Sequence, residues 1–350
     1  MDVPEDDPLV SVVVPNYNGT KTLPRCLESI FAQTYRNLEV VVVDDASTDD
    51  STAIVRRYDC LLVELPRNSG PSVARNRGIQ ASRGEVIFFV DVDVELDPDA
   101  IATAMRILRD NPQYAVVAGI YRTRPMIDDG LIERCQVLHA HYWRKRNEGL
   151  VRSGYFSLGA LRRSVVDELG GFNEQLGTDY GEDTEYGFRI AARYPMLLTS
   201  EILGSHDDDD RLWPILRKRL RRTAALVPLW IALRKEEPGE QAAYRPSQVV
   251  ATALTVAGLP LALLTPILAV VPAVALLWFV LADFGLPRFV RREAGLRYLA
   301  PVLALHYLCC LAMVVGIGIG LVRWIVDPPF RTQYRMPLSP TTSVGGAGPR

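Results

Sequence analysis

No side chain from Ser247 to Ala282 carries a charge, and none does from Leu299 to Val322. Such stretches cannot cover a water-facing surface, and a bilayer is crossed by roughly 20 apolar residues, so 247–284 and 299–325 read as transmembrane. The first is too long for one crossing and just long enough for two. A tight hairpin near Thr265-Pro266 followed by a third helix is therefore expected; one long Pro-kinked helix, giving two spans in all, is the alternative. Basic residues favour the hairpin. Arg288, Arg291, Arg292 and Arg297 lie between the two stretches, and 211–246 is rich in Arg and Lys, so both flanks want the cytoplasm and a hairpin puts both there. Within 211–246, Trp213, Leu216, Leu220, Trp230 and Leu233 alternate with dense Arg, which reads as amphipathic helices on an anionic lipid surface. The tail 327–350, rich in Pro, Gly, Ser and Thr, is expected to be disordered.

Residues 1–210 have a different pattern. Apolar, β-branched runs at Leu9–Val14, Leu38–Val43, Leu61–Leu65, Val86–Val90 and Ala115–Ala118 alternate with amphipathic stretches, as in parallel strands crossed by helices. Continuous runs such as Val40 to Val43 fit strands buried on both faces. The fold class is thus α/β, beginning with a Rossmann-like half. The opening MDVPEDDPLV is acidic, the reverse of a basic and apolar leader, so this domain is expected in the cytoplasm. Five cysteines without CxxC spacing read as reduced thiols. The formal net charge of −2 averages an acidic start and a basic 211–235 and says little about partners. Basic residues beside the membrane, rather than on an aromatic-studded sheet, argue against nucleic acid.

Ligands of open α/β sheets collect outside the carboxyl ends of the strands. The polar residues there are Pro15-Asn16-Tyr17-Asn18, Asp44-Asp45-Ala46-Ser47, Arg67-Asn68-Ser69-Gly70 and Asp91-Val92-Asp93. Neither GxGxxG nor a Walker motif occurs, which counts against dinucleotide and NTPase readings. In an extended chain Asp91 and Asp93 point the same way, so they can hold a hard divalent cation or divide between metal and ribose hydroxyls. Arg75, in a helix whose start is marked by Gly70-Pro71-Ser72, could neutralise a diphosphate.

Taken in order, VSVVVPNYNG, VVVDDASTDDS, NSGPSVARNRG, FFVDVD and GGFNEQLGTDYGEDTEYGFRI resemble the family 2 glycosyltransferases over roughly residues 9–210. The resemblance implies a GT-A fold with a mostly parallel mixed sheet, a UDP-, GDP- or dTDP-sugar donor and Mg²⁺ or Mn²⁺. It also implies that Pro15, Asn16, Tyr17 and Asp45 hold the nucleoside, and that Asp91 and Asp93 serve donor and metal. Gly181-Glu182-Asp183 matches the base motif, with Asp183 as catalytic base and Glu182 on the acceptor side; His206 is a candidate third metal ligand. Phe172-Asn173-Glu174 departs from the family's Phe-Asp-Glu, SGYFSLGALRR lacks the small-residue-Asn pattern, and QxxRW is missing, so transfer of single sugars is expected rather than polymerisation. The acceptor expected from the membrane anchor is a lipid-linked glycan used in cell-envelope polysaccharide synthesis. Transfer to polyprenyl phosphate and a catalytically inactive nucleotide-sugar-binding membrane protein are the competing readings.

Overall fold

A computed structural model describes residues 7–176, 181–232 and 243–332. The strand-helix alternation runs β1 (Val10–Asn16), α1 (Leu23–Phe31), β2 (Leu38–Asp44), α2 (Ser51–Val55), β3 (Leu61–Glu64), α3 (Pro71–Ala81), β4 (Val86–Val90) and β5 (Val94–Leu96). It continues through α4 (Ala100–Asp110), β6 (Val116–Tyr121), α5 (Leu131–Arg146), β7 (Gly149–Val151), β8 (Leu158–Arg162), α6 (Arg163–Leu169), α7 (Glu182–Ala191) and β9 (Met196–His206).

The strands form one sheet in the order β3-β2-β1-β4-β8-β6-β9-β5, with β7 also on β9. The first four pair in parallel, Val12 opposite Val40 and Phe88. β8 then enters antiparallel between β4 and β6. Both sheet faces are covered, which is why the strands read as unbroken apolar runs. Leu23, Cys26, Leu27 and Ile30, spaced at helical period on α1, bury against one face with α4; Ile79, Val165, Tyr186 and Ile190 of α3, α6 and α7 cover the other. The carboxyl ends of β1, β2 and β4 open on one crevice.

Each of the five runs read from the sequence lies on a strand, with ends shifted by up to three residues. The short antiparallel pieces β5 and β7, and β8 and β9, carry no comparable run and were not anticipated.

The C-terminal part consists of α8 (Leu212–Ala232), α9 (Pro246–Leu264), α10 (Val270–Leu281), α11 (Gly285–Glu293), α12 (Leu299–Val326) and α13 (Pro328–Thr332). α9 and α10 lie side by side, joined through a break at Thr265, whose ψ of 137° is extended. Among the described residues one helix, Leu296–Val326, is long and apolar enough to cross a membrane unbroken. Ile267–Leu281 and Gly285–Glu293 meet the same test only as a pair bent by 60°. Pro328–Thr332 is helical where the tail was expected to be disordered; the rest of that tail, and 233–242 of the basic segment, lie outside the described residues. The two parts share a core: Cys135 and Leu138 of α5 pack with Ile215, Phe279, Leu286 and Cys309. Buried Asp283 accepts from the Tyr142 hydroxyl at 2.6 Å and pairs with Arg146 and Arg245, so the junction is also tied by charge.

Candidate active site

A cleft of about 740 Å³ opens at the carboxyl ends of the parallel strands, and every site residue named from the sequence lines it: Pro15, Asn16, Tyr17, Asp45, Arg75, Asp91, Asp93, Glu182, Asp183 and His206. Tyr17, half exposed at the lip, offers a ring face. Asn16 donates to Asp44 at 2.6 Å, while its buried Oδ1 has no partner. Asp45 accepts from the backbone N–H groups of Ser69 and Gly70, both at 2.7 Å, so this carboxylate also ties the β2 loop to the start of α3. Asn18 and Ala46 have φ of 52° and 59°, in the left-handed region; Asn adopts it readily, so the strain falls on Ala46.

Arg75 is the electrostatic centre. Its side chain is 4% exposed, and it reaches Asp183 at 2.8 Å, Asp91 at 2.9 Å and Glu182 at 3.5 Å. The sequence assigned it to a diphosphate; the structure gives it three carboxylates on two other elements, so it fastens α3 to the end of β4 and the start of α7. Burial pushes the Asp183 carboxyl up to about 7, with Arg75 opposing and Glu182 and Asp91 adding to the rise.

Glycine sets the height of Asp183. A Cβ on Gly187 would fall 2.5 Å from the carbonyl carbon of Ser153, so α7 lies directly on the backbone of 153–154. Gly187→Ala should lift this turn, lower the melting temperature and weaken catalysis more than nucleotide binding; unchanged melting and kinetics would show that the contact has slack.

The expected metal ligands are only partly gathered. Asp93 Oδ2 lies 3.5 Å from His206 Nε2, and both Asp93 Oδ1 and His206 Nδ1 are buried without hydrogen-bond partners. Burial raises the Asp93 carboxyl to about 6, against the pull of His206 and with Asp91 and Asp208 adding to the rise. An orphaned oxygen and a nearby imidazole fit a divalent cation that takes its other ligands from phosphate oxygens and water. Asp91 instead gives Oδ1 to Arg75, and the three expected ligands do not form a close three-donor group. Among the described residues the group that does is Asp129, Glu133 and Asp207, but the Lys21 ammonium already bridges Asp129 and Asp207 there.

Sequence reasoning missed several lining residues. Tyr121 stacks on His206 with ring centroids 4.5 Å apart and planes 14° from parallel, and the Arg144 guanidinium lies 4.0 Å from the Tyr121 centroid on α5. Tyr121 ends β6, so the strand-end rule that found Asp91 could have found it. Lys218, Arg219 and Arg222 of α8 also line the cleft. The sequence read this basic stretch as lying on anionic lipid; that three of its cations also line the cleft is something periodicity does not reveal, since it does not say which neighbour a helix face meets.

Glycosyl transferase family 2 matches residues 11–170, which include β1 to β4, the Asp91-Val92-Asp93 turn and β8. The chain carries a family 2 glycosyltransferase domain. Relatives of this domain include the uncharacterized glycosyltransferase YibD of Escherichia coli, 38% identical over 27% of this chain and 29% of its own, and the putative glycosyltransferase EpsH of Bacillus subtilis, 33% identical over 46% and 49%. The chain thus spans half or less of the length of these curated relatives. Among solved structures, the mannosyltransferase PcManGT from Pyrobaculum calidifontis, in complex with GDP-Man and Mn²⁺, matches at a TM-score of 0.56 and 22% identity, covering 93% of this chain and 89% of that one. At that identity the likeness speaks for the fold, which is GT-A.

Proposed function

We propose that the protein transfers a single sugar, with inversion, from a nucleotide-sugar donor to a hydroxyl of a membrane-associated, lipid-linked acceptor, and that a divalent cation assists. The observation that carries this reading is the position of Asp183: a carboxylate raised to about 7, 2.8 Å from Arg75, at the wall of a strand-end cleft. In the proposed step Asp183 takes the proton of the acceptor hydroxyl as that oxygen attacks the anomeric carbon. The bond from that carbon to the diphosphate breaks, and the nucleoside diphosphate leaves with the electron pair. Tyr17 and Asn16 would bind the nucleoside; Arg75, joined to Asp91, would face the leaving diphosphate. Asp93 and His206, with Asp91 on the donor side, would hold Mg²⁺ or Mn²⁺, whose charge would offset that of the diphosphate.

The same reading has α9, α10 and α12 as membrane spans with the catalytic domain cytoplasmic. The exposed apolar side chains Leu259, Ile267, Val274, Leu277, Val322 and Ile325 support it, since water disfavours such a surface.

Purified full-length protein should release nucleotide from one member of a panel of UDP-, GDP- and dTDP-sugars in the presence of Mn²⁺. Asp93→Asn should raise the Mn²⁺ needed for half activity by at least about 10-fold, the loss seen when even outer partners of a metal ligand are removed. Binding of a nucleotide sugar without turnover of any would make the protein a sensor or scaffold.

A further inference from the structure

Three cations of α8, Lys218, Arg219 and Arg222, line the cleft, where a substrate can meet them. Arg222 lines the cleft, makes no ion pair or hydrogen bond among the described residues, and carries a charge that favours the ionised form of Asp183. Arg219, three residues and so about one helical turn before it on the same wall, stacks 4.7 Å over the Tyr244 ring, and its Nε is buried with no acceptor. Buried guanidinium donors are almost always satisfied, so an arginine that lines a cleft and leaves one unpaired is suited to hold an anion. Lys218 completes the row from the rim, where it pairs with Asp209 at 2.6 Å.

The other side of α8 shows what kind of anion. It lies so close along α12 that a Cβ on Gly316 would fall 2.6 Å from the Leu220 carbonyl oxygen, and one on Gly320 2.6 Å from that of Ala224. α12 is the unbroken helix of membrane-spanning composition. One helix therefore carries both the cationic wall of the cleft and the contact with an apolar, lipid-type helix. A phosphate at the head of a long hydrocarbon chain would satisfy both. In the proposed reading the donor's diphosphate would be met instead by Arg75 and by a cation held at Asp93 and His206.

We infer that Arg219 and Arg222 form an anion subsite for the phosphate or diphosphate of a lipid-linked acceptor, next to but separate from the donor's. This rests on the glycosyltransferase reading for the role of the cleft.

The two sources of diphosphate can be separated by binding measurements on the full chain in a neutral detergent. One arm uses farnesyl diphosphate, with farnesol as the uncharged control, and the other a nucleoside diphosphate with Mn²⁺. Farnesyl diphosphate should bind and farnesol should not. Arg222→Gln should weaken farnesyl diphosphate at least about 10-fold, the loss of one charge-assisted contact, and leave the nucleoside diphosphate within about twofold. Arg222→Lys should retain most of the affinity. Arg222 is exposed, so its variants are not expected to disturb folding, and the nucleotide arm checks it; Arg219→Gln, nearer the core, is the second variant and should act in the same direction. Unchanged farnesyl diphosphate binding in both variants would overturn the subsite, and so would a loss confined to the nucleotide. Failure of the wild type to bind nucleotide would instead sink the glycosyltransferase reading itself.

Discussion

Asp183→Asn should lower kcat by about 10²- to 10⁴-fold, the usual contribution of a positioned general base, while nucleotide-sugar binding changes by no more than about twofold. The amide has the shape of the carboxylate and can still accept from Arg75, but it cannot take up a proton. The wild type adds a pH signature. Asp183 must be ionised to act, and burial has raised it to about 7, so kcat/KM should climb as pH rises and level off above about 7. Below that value the group is protonated and the rate falls about tenfold per unit. The Asn variant should lose this limb. If it keeps most of its activity towards a phosphate acceptor, the nucleophile was already an anion, and transfer to polyprenyl phosphate replaces the hydroxyl mechanism.

How far the sequence led depended on whether a feature was local. Val40–Val43 and Val86–Val90 are buried on both faces by helices, so burial writes itself into composition and the strands were legible. β9 runs Met196–His206 with Ser, Glu and Gly inside it, since its pairing partners and bulge, rather than its own side chains, make it a strand. At the site, Pro15, Asp45 and Asp91 sit where β1, β2 and β4 end, and strand ends can be read from one dimension. The contact of Arg75 with Asp183 spans more than a hundred residues, and no local pattern announces that an arginine on α3 will be shared among three carboxylates. The same holds for α8. Its Arg-rich character was plain in the sequence, but that Lys218, Arg219 and Arg222 would line the cleft depended on how α8 packs along α12, a helix that follows it by most of the C-terminal region.

Removing the cation is the sharpest test of that long-range cluster. Arg75→Gln would leave Asp91, Glu182 and Asp183 facing one another without a counter-charge. Breaking a buried ion pair from one side costs about 3–5 kcal/mol. Here Asp91 and Asp183 are 30% and 29% exposed, so water screens part of the repulsion and a loss of about 2–3 kcal/mol is expected. The sign of its pH dependence follows from the charges. Without Arg75 the carboxylates hold protons more tightly folded than unfolded, so their contribution is intact at low pH and is lost as pH rises through the raised values. The melting gap between wild type and variant should therefore be narrow near pH 4 and wide above pH 7. Arg75→Lys separates charge from geometry: one ammonium lacks the planar fork that reaches three partners, so it should recover part of the stability and little of the activity. A gap that does not change with pH would mean that α3 and α7 are held by packing alone, including Phe172 5.4 Å beneath the guanidinium, and that the cluster serves the substrate rather than the fold.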